Sequence, residues 1–167
     1  VTGAVLYSQD VAMEGMLHAR LLRSPVPHAR VVGVDASAVP EGIIVLLPQD
    51  VRDLGGYGPQ IKDQEVFPQE RVRYAGDVVA AVAAETTDEA EIAVGLINVD
   101  YEELPSVFDE VEAASEGAIL VHETTNISRN DAAYFGIRPQ QGTNICHLFR
   151  LRHGDVEAGF AEADAVV

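Results

Sequence analysis

The chain has 167 residues, 47% of them hydrophobic, with 14 glycines and 8 prolines, a composition of one ordinary globular domain rather than of a disordered or fibrous protein. Eleven basic residues against 27 acidic ones leave a formal charge of −16, which excludes a phosphate-backbone partner and with it nucleic acid. No apolar run reaches the ~20 residues of a membrane span and no leader pattern is read at the start; the single cysteine, Cys146, offers neither an internal disulfide nor a sulfur framework for zinc or an iron-sulfur cluster, so the expectation is a cytoplasmic protein.

The first strand is predicted at Met16 to Leu22, where Leu17, Ala19 and Leu21 share one face and His18 and Arg20 the other. Ser24-Pro25-Val26-Pro27 ends it, because two prolines remove ladder donors and restrict the residues before them. A second strand follows at Arg30 to Val34, and the branched apolar run Ile43 to Leu47 reads as a buried strand. From Asp53 to Phe67 the pattern gives way to a surface loop around Gly55-Gly56-Tyr57-Gly58-Pro59.

Val78 to Ala84 is a continuous apolar stretch and predicts a second buried strand. A helix is expected over Glu89 to Leu96, with Asp88 as its cap, Glu91 in the capping-box position, and Ala93, Leu96 and Ile97 on one face. Ile97, Val99 and Tyr101 then alternate with polar residues as a further strand, so that strand, helix and strand suggest a small crossover unit. Thr124 to Thr143 reads as a long loop. Alternation from Ile145 to Leu151 predicts a last strand, and Asp155 caps a final helix that turns Val156, Phe160 and Ala163 inward.

Four groups of side chains invite chemistry, and context argues against each. The glycines at 55, 56 and 58 neither follow a strong strand directly nor open a helix, and no phosphate-loop lysine follows. Cys146, His147 and His153 carry metal-ligand atoms, yet adjacent strand residues diverge and no fourth ligand completes a set. Ser24 with His18 or His28 has the elements of a nucleophile and base, but lacks the strained elbow and oxyanion loop of a hydrolase. Glu102 and Glu103 are neighbours on a strand end and point apart. Arg71 with Arg73, and Arg150 with Arg152, form two alternating basic pairs that either meet carboxylates of a neighbouring domain or offset the surrounding acid.

Three stretches carry a resemblance in their wording. They are Val1-Thr2-Gly3-Ala4 through Gly15-Met16-Leu17-His18-Ala19 and Arg23-Ser24-Pro25; Arg71-Val72-Arg73-Tyr74-Ala75-Gly76-Asp77-Val78-Val79 with Val99-Asp100-Tyr101-Glu102; and Arg152-His153-Gly154-Asp155-Val156-Glu157-Ala158-Gly159-Phe160. In this order they resemble the amino-terminal hammerhead domain of the aldehyde oxidase and xanthine dehydrogenase family. The resemblance implies an α+β domain, a small mixed sheet with a strand-helix-strand unit, taken from the large subunit of a molybdenum hydroxylase. It implies molybdopterin-bound molybdenum in the parent enzyme, with iron-sulfur clusters and often FAD on other domains or subunits, and those domains as the partners.

In that family the cofactor-binding segments and the catalytic glutamate follow this domain. No position here matches them, so no catalytic, cofactor-binding or metal residue is assigned and the isolated chain is expected to be inactive. Residues 1–167 are expected to form one domain, and Val1 in place of methionine with Val166-Val167 at the end suggests a piece of a longer polypeptide. The expected role is scaffolding; the alternative is a freestanding binding or assembly module of the same fold.

Overall fold

Two three-stranded sheets share one strand's worth of core, and that strand is the alanine-rich run Val78–Ala84. In a computed structural model the described residues are 3, 5–7, 10–58, 61–123, 139–151 and 153–166. The strands are β1 (His18–Arg23), β2 (Ala29–Asp35), β3 (Ile44–Leu46), β4 (Arg71–Val72), β5 (Val78–Ala84) and β6 (Asn98–Glu103); the helices are α1 (Thr87–Val94), α2 (Glu110–Ala113) and α3 (Val156–Glu162), with a 3-10 helix at Pro48–Leu54. One sheet has the order β1-β5-β3, the other β4-β2-β6, and every pairing is antiparallel. The α+β class is thus as expected, with the small mixed sheet resolved into two antiparallel ones. The strand-helix-strand unit forms as β5-α1-β6, but its two strands lie in different sheets, so it is not a crossover within one sheet. Among the described residues no helix is long and apolar enough to cross a membrane.

β5 is placed by its own side chains. Ala80, Val82 and Ala84 face α1, whose Ala90 and Ala93 are fully buried against them, and Ile97 closes the cluster. Small residues on both sides let helix and sheet approach closely. Val79, of opposite parity, is buried instead with Ala29 and Val72 beneath the second sheet, alongside Val31, Val99 and Tyr101. The strand therefore serves two cores, one on each face.

The cap of α1 lies two residues before Asp88. Thr86 accepts from Glu89 N–H, and the Glu89 carboxylate accepts from Thr86 N–H at 3.1 Å, a closed capping box. The ladder explains the shift: His18 pairs with Ala84, and the Thr87 hydroxyl lies 3.2 Å from His18 Nδ1, so the chain turns into the helix immediately after β5.

Three other expectations change. The covered face of β1 is the one bearing His18, Arg20 and Leu22, while Leu17 and Leu21 are exposed. Alternation identified the two faces but not which one α1 would cover; Arg20 lies there because its stem tolerates burial and its head reaches Glu91 at 2.7 Å. β3 is only three residues long and buries Val45 partly, leaving Ile44 and Leu46 exposed. Residues 145–151 form no strand, and the side chains of α3 remain exposed, because alternation becomes a strand only where a neighbour supplies a ladder and a surface. Of the loop expected at Thr124 to Thr143, residues 124–138 lie outside the described residues.

Thr86→Ala should lower unfolding free energy by about 1 kcal/mol, the usual worth of an N-cap, with a smaller loss for Asp88→Ala. Urea unfolding of both variants checks this; equal losses would place the cap at neither residue alone.

Candidate functional site

Among the described residues Ser24 is the polar residue most deeply enclosed, 3% exposed. Its hydroxyl donates to the Val26 carbonyl at 2.8 Å and accepts from Val26 N–H at 3.2 Å. Its own N–H donates to the Asp77 carbonyl, and its carbonyl accepts from Gly76 N–H, both at 2.8 Å. These bonds tie the end of β1 to the turn before β5. His18 is engaged with Thr87, and His28 Nδ1 donates to the Pro105 carbonyl at 2.7 Å. Serine and histidines are thus separately occupied in holding the fold, and the nucleophile reading has no geometry behind it.

Around the same turn lies a cluster that motif reading passed over. Asp77 is half-buried, and its carboxylate accepts from Arg73 N–H at 3.1 Å. Burial pushes its carboxyl above the usual range, against the opposing pull of hydrogen bonds from Arg73 N–H, Val78 and Tyr74 and of the Arg73 charge. Burial likewise raises the Tyr74 phenol, helped by the Asp77 charge, and raises Tyr101. The signal available in the sequence was an acid placed between Gly76 and a buried strand.

Tyr74 and Asp77 line a small cavity of about 100 Å³ together with Asp63, Glu65, Arg73 and His122, and beside it lies a polar cleft of about 260 Å³ lined by Lys62, Asp63, Glu65, Arg73, His122 and Glu123. Arg73 lies 3.3 Å from Glu65 and donates to the Val121 carbonyl; Arg71 lies 2.8 Å from Glu123; His122 lies 3.9 Å from Asp63. The Arg71 guanidinium holds the Glu123 carboxyl below its usual range. The first arginine pair therefore meets this chain's own acid. Arg150 is exposed, and Arg152 lies outside the described residues. Glu102 pairs with Arg30 at 3.0 Å on the surface, apart from Glu103.

The remaining candidates do not converge either. Among the described residues no three of His, Cys, Asp and Glu gather as a metal site; Cys146 is exposed, and the nearest partner ring to His147 is Phe149, 6.5 Å between centroids. Tyr57 bridges to Gln64, and the backbone of Lys62 crosses so close to Gly56 that a side chain there would collide with its carbonyl. The glycines at this turn answer to chain crossing rather than to a ligand.

A different surface is left open. On the outer side of the first sheet, register aligns Ala19 with Ala83 and Ile44 in one row, and Leu21 with Ala81 and Leu46 in the next. Leu21 is 47%, Ile44 51% and Leu46 44% exposed. Six apolar residues in two cross-strand rows, with no charge among them, form an open apolar patch on the sheet.

A family model described as aldehyde oxidase and xanthine dehydrogenase, a/b hammerhead domain, matches residues 2–105. The chain belongs to this family. The hammerhead chain is 38% identical to a probable xanthine dehydrogenase subunit from Bacillus subtilis (strain 168), over 99% of its own length and 20% of the relative's. It is 33% identical to the nicotinate dehydrogenase large molybdopterin subunit of Eubacterium barkeri, over 100% of its length and 36% of that protein's. A crystal structure of the Cu,Mo-CO dehydrogenase in its carbon monoxide reduced state is similar at a TM-score of 0.70 and 30% identity, covering 96% of the hammerhead chain and 20% of the other. The chain thus spans between a fifth and about a third of the length of these relatives.

The four ion-paired arginines offer no free donor set to a phosphate-bearing pterin. A phosphate needs free cationic or backbone donors, whereas Arg20, Arg30, Arg71 and Arg73 each already face a carboxylate. One cysteine likewise cannot hold an iron-sulfur cluster.

Asp77 gives a test by pH. Its raised folded value means that folding favours the neutral carboxyl, so its contribution is full below the unfolded value and is lost as pH rises through the folded one. Asp77→Asn, always neutral and still able to accept from Arg73 N–H, should gain stability relative to the native chain as pH rises from about 3 to about 7. Urea midpoints across that range measure the difference, and a variant that loses stability relative to the native chain as pH rises contradicts the assignment.

Proposed function

We propose that the chain is a scaffolding domain of a molybdenum-cofactor oxidoreductase, one part of a longer large subunit of the xanthine dehydrogenase and aldehyde oxidase type. It contributes structure and contact rather than a reacting group. Its partners are the remaining cofactor-binding domains of the same subunit and the domains or subunits that carry iron-sulfur clusters and flavin. The molybdopterin, whose chemistry is hydroxylation or related oxidation, is held by those other parts.

The observation that carries this reading is the open apolar face of the β1-β5-β3 sheet. Apolar surface of this order on a domain marks a contact, since burying it is favourable at roughly 25 cal/mol per Å². The polar groups argue the same way: Ser24, His18, His28 and four arginines are engaged in internal bonds.

The double variant Leu21→Glu with Leu46→Glu tests it. Both positions are exposed, so the 167-residue chain should keep its stability to within about 0.5 kcal/mol per site, whereas the natural subunit carrying the same changes should lose cofactor occupancy and co-purification with its electron-transfer partners. A natural subunit that assembles and turns over normally with both glutamates removes the docking argument. A natural polypeptide ending with this chain, whose mass is measured first, would make it a freestanding module.

A further inference from the structure

Among the described residues, the turns at 27–28 and 73–75 and the segments 105–108 and 119–121 line a further cavity of about 290 Å³, at the small end of the range of ligand pockets. Most of its wall is apolar, with Pro27, Ala75, Val107, Phe108 and Ile119 among the residues that form it. Phe108 is 82% exposed and Tyr74 about half, so two of the rings that line it are left open by the described residues.

Four polar side chains interrupt this wall, and their hydrogens are largely spent within the chain. His28 Nδ1 lies 2.7 Å from the Pro105 carbonyl. A carbonyl only accepts, so Nδ1 carries the hydrogen and Nε2 of the neutral ring is an acceptor; no described residue bonds it. The Ser106 hydroxyl donates to the Leu104 carbonyl and the Tyr74 hydroxyl to the Asp77 carboxylate, so both oxygens keep accepting capacity alone. Arg73 gives Nε to the Val121 carbonyl and Nη1 to Glu65 and the Arg71 carbonyl. Three of the four polar groups thus present acceptors, set in apolar surface.

We propose that this cavity binds a small, neutral, planar aromatic molecule that carries an N–H or O–H, with His28 Nε2 accepting that hydrogen. Hydrogen-bond complementarity selects the class. A carboxylate or phosphate brings only acceptors to His28, Ser106 and Tyr74, and Arg73, which would draw an anion, already faces Glu65 at 3.3 Å. A cation would share the wall with the Arg73 guanidinium. A molecule without a donor suits the apolar wall but deprives Nε2 of the water it displaces. Flat rings meet Phe108 and Tyr74 by stacking or edge contact. The proposal concerns a ligand rather than a contact between domains, and it stands whether or not the chain is a scaffold.

Indole, set against 1-methylindole, which has the same rings and no N–H, tests it in the 167-residue chain and in the natural large subunit. Saturation-transfer NMR should give indole a Kd of about 1 mM, with 1-methylindole about fivefold weaker. His28→Asn keeps a donor for the Pro105 carbonyl but has no atom in the place of Nε2; it should bring indole down to the 1-methylindole value and leave 1-methylindole unchanged. Ala75→Trp, which fills the cavity from an exposed position, should abolish binding of both. Equal affinities of the native chain for the two probes overturn the proposal, as does an indole affinity that neither variant changes. Binding that depends on His28 in the 167-residue chain but not in the natural subunit overturns it in favour of a side chain of another domain as the occupant.

Discussion

The fold depends on β5 being narrow on one side and apolar on both. Ala80, Val82 and Ala84 accept α1 at close range through Ala90 and Ala93, while Val79 reaches the second sheet beside Ala29 and Val72. A larger residue at Ala80, Ala84, Ala90 or Ala93 would have to displace a helix already in contact, and packed interiors yield poorly to added volume. The strand also sits between β1 and β3 and so supplies both ladders of its sheet. Packing and pairing therefore constrain the same seven residues.

Basic charge is scarce, and part of it is placed in ion pairs around this core. The net −16 repels itself, yet four of the arginines stand beside carboxylates, and all four join parts of the chain distant in sequence: Arg20 to Glu91, Arg30 to Glu102, Arg71 to Glu123, and Arg73 to Glu65 and the Val121 carbonyl. Exposed pairs of this kind are individually weak. Their effect here is to bring the segment at Val121 to Glu123 against β4 and the turn that follows it. The Asp77 turn is different in kind: the Asp77 carbonyl and Gly76 N–H bond the Ser24 backbone and so hold the junction of β1 with β5, while the Asp77 carboxylate closes the turn on Arg73 N–H.

Much of this was legible in the residues. β2, β5, α1 and β6 followed from apolar runs and alternation because each buries the side that its own sequence marks. β1 was located but turned over: its apolar set Leu17, Ala19 and Leu21 looks outward, and the polar set lies under α1. The same outward turn affects Ile44 and Leu46 in β3 and Val156 and Phe160 in α3. All of these are apolar residues that the described residues leave uncovered, so the pattern marked a face without marking whether this chain would cover it. The Thr86 box was missed because Thr86-x-x-Glu89 and Asp88-x-x-Glu91 both fit the motif, and only the end of the β1 ladder decides between them. The Asp77 cluster had no spacing signature at all, since its members come from two turns and two strands. The family resemblance, carried by the wording of Arg71 to Val79 and its flanks, agrees with the matched hammerhead model.

The pairing of His18 with Ala84 also sets an order of events during synthesis. β1 leaves the ribosome before β5, the strand it pairs with, and at roughly 5–20 residues per second several seconds pass before β5 follows it. During that interval Leu17, Leu21 and Leu22 travel on an unpaired edge, a state that favours wrong partners over right ones. β3, which emerges in between, cannot relieve it, because β3 pairs with β5 and not with β1. Slowing translation between the two strands would lengthen the very stage at which the nascent domain is most easily lost.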